Sequence, residues 1–177
     1  MDAASLPIFY LSILVGLLGV LGILLFRQVL KTRRVETTFG KLQKKLQNEP
    51  GTAKEYYELG SLYLDKKLHV QAAQLLKKAL KVEDELESEN AALIYNALGY
   101  AYFAQEQYDL AIRQYKEALK AIPEYPTALN NLANVYEKKQ MTAKALETYE
   151  EALKADPENK VAKKRAESLR KRFVASK

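Results

Sequence analysis

The 177-residue sequence contains no cysteine and no tryptophan, one histidine, seven glycines and five prolines. Without cysteine it can form no disulfide, thiolate nucleophile or thiolate metal site, and a single histidine cannot supply a histidine-rich zinc site. So few glycines and prolines exclude a loop-rich β fold and a collagen-like chain. These absences favour an all-α protein and leave most enzyme chemistries without their usual side chains.

The net charge of +6 is distributed unevenly along the chain. Residues 1–26 carry a charge of −1, whereas residues 27–50 contain seven bases and two acids. Residues 51–159 sum to −5 and residues 160–177 to +7. An acidic middle part therefore separates two basic segments.

A run of 21 residues without a charged side chain occupies residues 6–26. As an α-helix it would be about 30 Å long, the thickness of the hydrocarbon core of a bilayer. Asp2 precedes the run, and four bases follow it closely: Arg27, Lys31, Arg33 and Arg34. A cleaved signal has the opposite arrangement, with basic residues first. We therefore predict a short N-terminal tail at residues 1–5 and an uncleaved transmembrane helix at residues 6–26; the alternative is a core helix of a soluble protein.

The bases after the apolar run also predict an orientation and surface contacts. Because lysine and arginine accumulate on the side that is not translocated, we expect everything after Arg27 on the cytoplasmic or equivalent face. The basic segments at residues 27–50 and 160–177 could attract anionic lipid headgroups or an acidic partner.

The remainder of the chain repeats itself three times. Residues 56–80, 95–119 and 129–153 align without a gap. Three small and two large positions recur in every copy: Gly60, Gly99 and Ala133; Ala72, Ala111 and Ala145; Ala79, Ala118 and Ala152; Tyr63, Tyr102 and Tyr136; Leu76, Tyr115 and Tyr149. Apolar residues follow the i, i+3, i+4, i+7 spacing of a helix, and a polar break divides each copy. The pattern predicts antiparallel helix pairs in which small residues face large ones.

These positions resemble the tetratricopeptide repeat, a 34-residue helix–turn–helix unit with the pattern W-x2-L-G-x2-Y followed by A-x3-F, a small residue and a proline. The resemblance implies an α-solenoid of three repeats, at residues 53–86, 92–125 and 126–159. Pro123 and Pro157 close the second and third repeats, whereas Asp84 replaces this proline in the first. Five additional residues separate the first two repeats, and we expect them to lengthen a helix or to form an exposed loop.

Amphipathic helices are predicted at both ends of the repeats, because a solenoid must cover the apolar faces of its terminal units. The basic juxtamembrane helix at residues 27–50 contains a stripe typical of a half-repeat over residues 33–49: Val35, Phe39, Leu42 and Leu46. A second stripe predicts a capping helix, followed by a tail, within residues 160–177: Val161, Ala162, Ala166, Leu169 and Phe173. Since no flexible linker follows Arg27, we expect the repeats to lie close to the membrane.

Tetratricopeptide stacks bind extended peptides or partner surfaces in a concave groove lined by the first helix of each pair. The repeat frame implies a candidate partner-binding site of eight residues: Tyr57, Ser61, Asn96, Tyr100, Phe103, Asn130, Asn134 and Lys138. Lys54, Leu93 and Glu137 also occupy groove positions. Asparagine amides can bond a peptide backbone, and aromatic rings supply rigid apolar contact. The alternative is that these are ordinary solvated residues of a common repeat consensus.

Other kinds of site are not expected. Members of the family that hold a chaperone's C-terminal carboxylate use basic and asparagine side chains, which the corresponding residues do not reproduce: Tyr57, Ser61, Ala97, Thr127 and Asn131. Net acidic repeats argue against nucleic-acid binding. His69 is expected to be an exposed residue of the turn in the first repeat. The sequence contains no recognisable catalytic constellation, metal site or cofactor site, so we do not expect an enzyme.

The order of the whole chain resembles a membrane-anchored tetratricopeptide-repeat family of cyanobacteria and plastids that assists photosystem I assembly or stability. The resemblance implies a thylakoid anchor, repeats on the cytoplasmic or stromal side, and photosystem I subunits or assembly intermediates as protein partners. Such a protein would hold its partners stoichiometrically. One alternative is a membrane receptor for protein import or quality control, and another is a structural scaffold or adaptor that uses its convex face.

Overall fold

The computed structural model describes residues 5–82 and 86–175. Within these ranges the chain forms eight α-helices and no strands. They are α1 (Ser5–Asn48), α2 (Ala53–Asp65), α3 (His69–Val82), α4 (Ser88–Ala104), α5 (Tyr108–Ala121), α6 (Pro126–Lys138), α7 (Thr142–Ala155) and α8 (Lys160–Ala175). The predicted all-α fold is confirmed. Some parts of the predictions lie outside the described residues. These are most of the predicted N-terminal tail, Asp84 at the closing position of the first repeat, the side chain of Phe173 and the last two residues of the chain.

The chain divides into two compact units, the first ending at Lys44 and the second beginning at Lys45. The first unit contains α1 up to Lys44, and the described apolar side chains of this helix between Phe9 and Leu30 are exposed. This helix is long and apolar enough to cross a membrane, and none of its most apolar stretch is buried. The four predicted basic residues that follow this stretch are exposed as well: Arg27, Lys31, Arg33 and Arg34. The transmembrane assignment of residues 6–26 stays a prediction.

The second unit begins with a capping box that fixes the start of α2. The Thr52 hydroxyl accepts a hydrogen bond from the backbone N–H of Glu55 at 3.2 Å, and the Glu55 carboxylate accepts one from the N–H of Thr52 at 3.1 Å. Lys45 donates to the same carboxylate at 2.5 Å. The bond from Lys45, and then that from Thr52, lower the pKa of Glu55. These bonds satisfy helix-terminal N–H groups that would otherwise lack partners.

Three helix pairs, α2–α3, α4–α5 and α6–α7, form hairpins joined by short turns. Each turn places one residue at a positive φ of about 60°: Lys67, Glu106 and Gln140. In each turn the next N–H donates to a carbonyl five residues earlier: Leu68 to Tyr63 at 2.9 Å, Gln107 to Tyr102 at 3.0 Å and Met141 to Tyr136 at 2.8 Å. This is the bond of a Schellman motif, which usually has glycine at the left-handed position. The same helix ending is thus built three times without glycine.

The hairpins are packed by placing a small residue of the first helix under a large residue of the second. Gly99 lies so close to the Tyr115 ring that a Cβ atom added to it would stand 2.6 Å from Tyr115 Cε1. At the same position of the first pair, a Cβ on Gly60 would lie 3.0 Å from Leu76 Cγ. The predicted opposition of small and large residues is therefore seen in the geometry.

The buried side chains of the repeats form two clusters. One cluster joins the first helix pair to α4 and has Leu76 and Leu98 at its centre. The other extends from α5 through α8 and has Tyr115 and Tyr149 at its centre. Tyr102 packs against both clusters.

The additional residues between the first two repeats lengthen α4. Of the two expectations, a longer helix or an exposed loop, the structure shows the longer helix. This helix has 17 residues, whereas α2 and α6 have 13 each. Its added first turn is held by Asn90, whose Nδ2 donates to the Glu87 carboxylate at 3.2 Å.

The C-terminal helix α8 covers the end of the stack with three fully buried side chains: Ala162, Ala166 and Leu169. Val161 was predicted to belong to this stripe, and that prediction is wrong because its side chain is 58% exposed. Successive helical residues differ in direction by about 100°, so Val161 points away when Ala162 faces the core.

We expect Gly99→Ala to lower the free energy of unfolding by about 1–3 kcal/mol, because the new methyl group would overlap the buried Tyr115 ring. The matched control is Gly40→Ala in α1, where a Cβ would meet nothing within 4 Å. That control should gain about 0.5–1 kcal/mol of helix stability. Urea denaturation followed by circular dichroism measures both changes, and equal stability of the two variants would contradict the packing described.

Candidate partner-binding groove

The first helices of the three pairs lie side by side. Helix α2 contacts α4, and α4 contacts α6, while each second helix packs between its own partner and the first helix of the next pair. All eight predicted groove residues lie on α2, α4 and α6. The three helices therefore carry the candidate site on neighbouring elements within one compact unit.

The predicted groove side chains are mostly half-buried, which is the environment of a cleft wall. Six of them are intermediate in exposure: Tyr57, Ser61, Asn96, Phe103, Asn130 and Asn134. Tyr100 and Lys138 are exposed. The structure therefore brings these side chains to adjacent helices, and their role in binding stays a prediction.

A hydrogen bond between two asparagines links α4 to α6. Asn131 Nδ2 donates to Asn96 Oδ1 at 3.0 Å, and the pair is partly buried. The carbonyl oxygen of Asn96 is thus already engaged within the protein, although an amide oxygen has a second lone pair. The bond sets the spacing of neighbouring first helices, because it joins consecutive repeats rather than residues of one helix.

Asn130, the neighbour of Asn131 on α6, has an unusual environment. Its Oδ1 is buried and has no hydrogen-bond partner among the described residues. A buried acceptor without a donor costs about 1–3 kcal/mol. A rotation of the Asn130 side chain toward a bound backbone N–H would remove this cost.

Tyr57 of the first pair acts electrostatically on Tyr125, which precedes the third pair. Burial raises the pKa of Tyr125, which precedes α6, and the neighbouring Tyr57 on α2 raises it further. A hydrogen bond with Thr127 acts in the opposite direction. Tyr125 was not among the predicted site residues, because it is the last residue of the second repeat and precedes α6 rather than lying on a first helix.

His69 differs from its prediction as an exposed turn residue, and that prediction is wrong. It is the first residue of α3 and is half-buried. Its ring meets the edge of the Tyr100 ring, with centroids 6.2 Å apart and planes at 80°. Gln105 Nε2 donates to its carbonyl at 3.3 Å. One side of Tyr100, a predicted groove residue, is therefore covered by the protein itself.

The last helix is linked to the third pair through Glu137 of α6. The Glu137 carboxylate accepts hydrogen bonds from the Tyr149 hydroxyl at 3.4 Å and from Arg165 of α8 at 3.3 Å. Tyr149 is 1% exposed, and burial, followed by the Glu137 charge, raises its pKa to about 12. Glu137 is thus engaged in holding α8 in place, whereas its neighbour Lys138 remains exposed.

Comparison with known proteins agrees with this geometry. Two family models described as tetratricopeptide repeat match residues 51–124 and 96–160. The crystal structure of MamA has the same fold, with a TM-score of 0.73 at 23% identity over 81% of each chain. The chain is therefore a tetratricopeptide-repeat protein, a class whose members generally bind other proteins.

Two relatives give the family more narrowly. The ycf37 protein of Cyanophora paradoxa is 39% identical over 80% of this chain and 81% of its own length. The chloroplastic protein PYG7 of Arabidopsis thaliana is 38% identical over 95% of this chain, which spans 56% of PYG7. The chain belongs to the ycf37 family.

The free energy of unfolding should fall as the pH rises from 10 to 12, and we expect this fall to be smaller in Tyr149→Phe than in the parent chain. In this range an unfolded tyrosine ionises, while folded Tyr149 keeps its proton up to a pKa of about 12. A raised folded pKa gives stability that is present below pH 10 and is lost as the pH rises. The phenylalanine variant should therefore lose about 1–2 kcal/mol less between pH 9 and 12 than the parent chain. Urea midpoints at each pH measure the difference, and parallel curves would contradict a buried hydroxyl.

Proposed function

We propose that this protein is a membrane-tethered, protein-binding module that assists photosystem I assembly or stability. It holds subunits or assembly intermediates in the groove of α2, α4 and α6 and releases them when contacts between subunits bury the same surface. The proposed mechanism is stoichiometric holding rather than chemical conversion.

The observation that carries the proposal is the row of amide and aromatic side chains along three neighbouring helices. Asn96, Asn130 and Asn134 present amides, and Tyr57 and Phe103 present rings, all at intermediate exposure. Amides can pair with the backbone of any extended segment, so such a row suits peptides without a fixed sequence. The buried acceptor of Asn130 adds a reason for a bound N–H to be favoured.

The membrane tether is supported by the exposed apolar surface of α1. A soluble protein rarely leaves so long a stretch of large apolar side chains in water, whereas a lipid environment would cover it. The exposed bases from Arg27 to Arg34 would then lie at the headgroups. Holding groove and partner on one membrane raises their effective concentration, so weak contacts suffice.

The assignment to photosystem I is supported by the family. The order of apolar helix, basic segment and three repeats resembles the thylakoid assembly factors of cyanobacteria and plastids, and the Arabidopsis relative is chloroplastic. We therefore propose a thylakoid location with the repeats on the cytoplasmic or stromal side.

The groove is tested by the double variant Asn130→Ala with Asn134→Ala in the full chain. Each lost amide removes about 0.5–1.5 kcal/mol of hydrogen bonding, so partner affinity should fall about tenfold. The matched control is Gln71→Ala with Gln74→Ala, which removes two exposed amides from the second helix α3. Membranes are solubilised in mild detergent, and the proteins retained on the tagged chain are identified and quantified.

Photosystem I subunits that are depleted by the groove variant but not by the control support the proposal. Translocase components or chaperones in their place would overturn it in favour of a receptor. Equal retention by both variants would place the binding surface outside the groove, as in a convex-face adaptor.

The tether is tested by deleting residues 1–26, which should move the protein from the membrane fraction to the soluble fraction. The deletion removes the exposed apolar surface of α1, which is the proposed membrane contact. It leaves the compact unit from Lys45 onward intact. Circular dichroism should show that the truncated chain remains helical. A truncated chain that is folded and still entirely with the membranes would contradict the tether.

A further inference from the structure

A cavity of about 130 Å³ lies between the starts of α2 and α4. Ala53, Lys54 and Tyr57 line it from one side. Leu86, Asn90, Leu93 and Ile94 line it from the other. It occupies the end of the candidate groove at the first repeat, because Lys54, Tyr57 and Leu93 all hold groove positions.

The cavity exists at this place because of the lengthened start of α4. Leu86 precedes that helix, and Asn90 lies in its added first turn. The Asn90 amide is held by its hydrogen bond to the Glu87 carboxylate at 3.2 Å. The additional residues between the first two repeats thus contribute Asn90, a fixed polar group at the edge of the pocket.

The volume suits one side chain rather than a whole small molecule. Cavities that bind drug-sized ligands measure about 300–1,000 Å³, whereas an apolar cavity of about 150 Å³ in another protein accommodates benzene. Here 130 Å³ is available, and five of the seven lining side chains are aliphatic or aromatic. The fitting occupant is therefore a single aliphatic or aromatic side chain.

Lys54 is the one charged residue among those that line the cavity. Its side chain is exposed at the rim, whereas Ala53 and Ile94 are buried at the base. A carboxylate beside an inserted side chain could pair with the Lys54 ammonium without entering the cavity. An ammonium or guanidinium in that place would be repelled.

We propose that this cavity is an anchor pocket for a protein partner. It takes one leucine-sized or phenylalanine-sized side chain of an extended segment, and Lys54 pairs with an acidic residue next to that anchor. The segment continues toward Asn96, which lies one helical turn beyond Leu93. This inference rests on the proposed groove function and names the ligand class that the groove selects.

The test uses the full chain in detergent micelles with labelled methyl groups and a small probe, N-acetyl-leucyl-aspartate amide. The Ile94 methyl signals should shift with increasing probe, while those of Leu110, a half-exposed residue of α5, should not. N-acetyl-alanyl-aspartate amide should bind about tenfold to a hundredfold more weakly, since it lacks most of the buried apolar surface. Equal shifts with both probes would overturn the anchor pocket.

Two variants examine the lining. Ala53→Met fills the cavity and should abolish the Ile94 shifts, whereas Ala143→Met, at an exposed position of α7, should leave them unchanged. Lys54→Glu should reverse the preference between the aspartate probe and N-acetyl-leucyl-lysine amide. If Ala53→Met does not fold, Lys54→Glu alone decides, because an unchanged preference would exclude the proposed pairing.

Partner capture separates the failure of the pocket from that of the groove. If no probe shifts Ile94 while the Asn130 and Asn134 variant still loses its partners, the pocket is overturned and the groove stands. If neither that variant nor Ala53→Met changes capture, both proposals fail. If both variants lose partners and the leucyl-aspartate probe shifts Ile94, both are supported.

Discussion

Close packing of a small residue against a large side chain sets the distance between the two helices in the first two pairs, and other features of the repeats depend on it. Gly99 has no side chain because the Tyr115 ring occupies the space where a Cβ would lie. Tyr115 is 1% exposed, so its ring has no room to move aside. Dense packing of this kind leaves no freedom in the angle of the hairpin. Hairpins of this kind stack in turn, and in the stack the first helices lie side by side, which is the condition for a continuous groove.

The helices and their pairing could be predicted because they follow from short-range patterns. Alternation of small and large residues at fixed spacing determines which faces meet, as Gly99 and Tyr115 illustrate. The contacts between repeats could not be predicted, because they depend on the angle between successive pairs. The bond from Asn131 to Asn96 and the burial of His69 against Tyr100 are of this kind. Both arise where residues distant in sequence approach within a few ångströms.

In the candidate groove, too, some residues could be predicted from the repeat pattern and others were found only in the structure. The repeat frame places Tyr57, Asn96 and Asn130 on first helices, and the structure has them there. Tyr125 is the last residue of the second repeat, and Asn90 at the cavity belongs to the additional residues between the first two repeats, so neither holds a groove position of the frame. The wrong assignment of Val161 to the buried stripe of α8 has a simpler cause. Successive helical residues differ in direction by about 100°, so a residue next to a buried alanine can point to solvent.

The two buried clusters meet at the α4–α5 hairpin, where Tyr102 packs against both. In a repeat array each unit is stabilised mainly by contacts with its immediate neighbours. A ligand held across α2, α4 and α6, as we propose, would contact the first helix of all three pairs. Such a ligand would link pairs that are not neighbours in the stack, so the loaded array would be stiffer than the empty one.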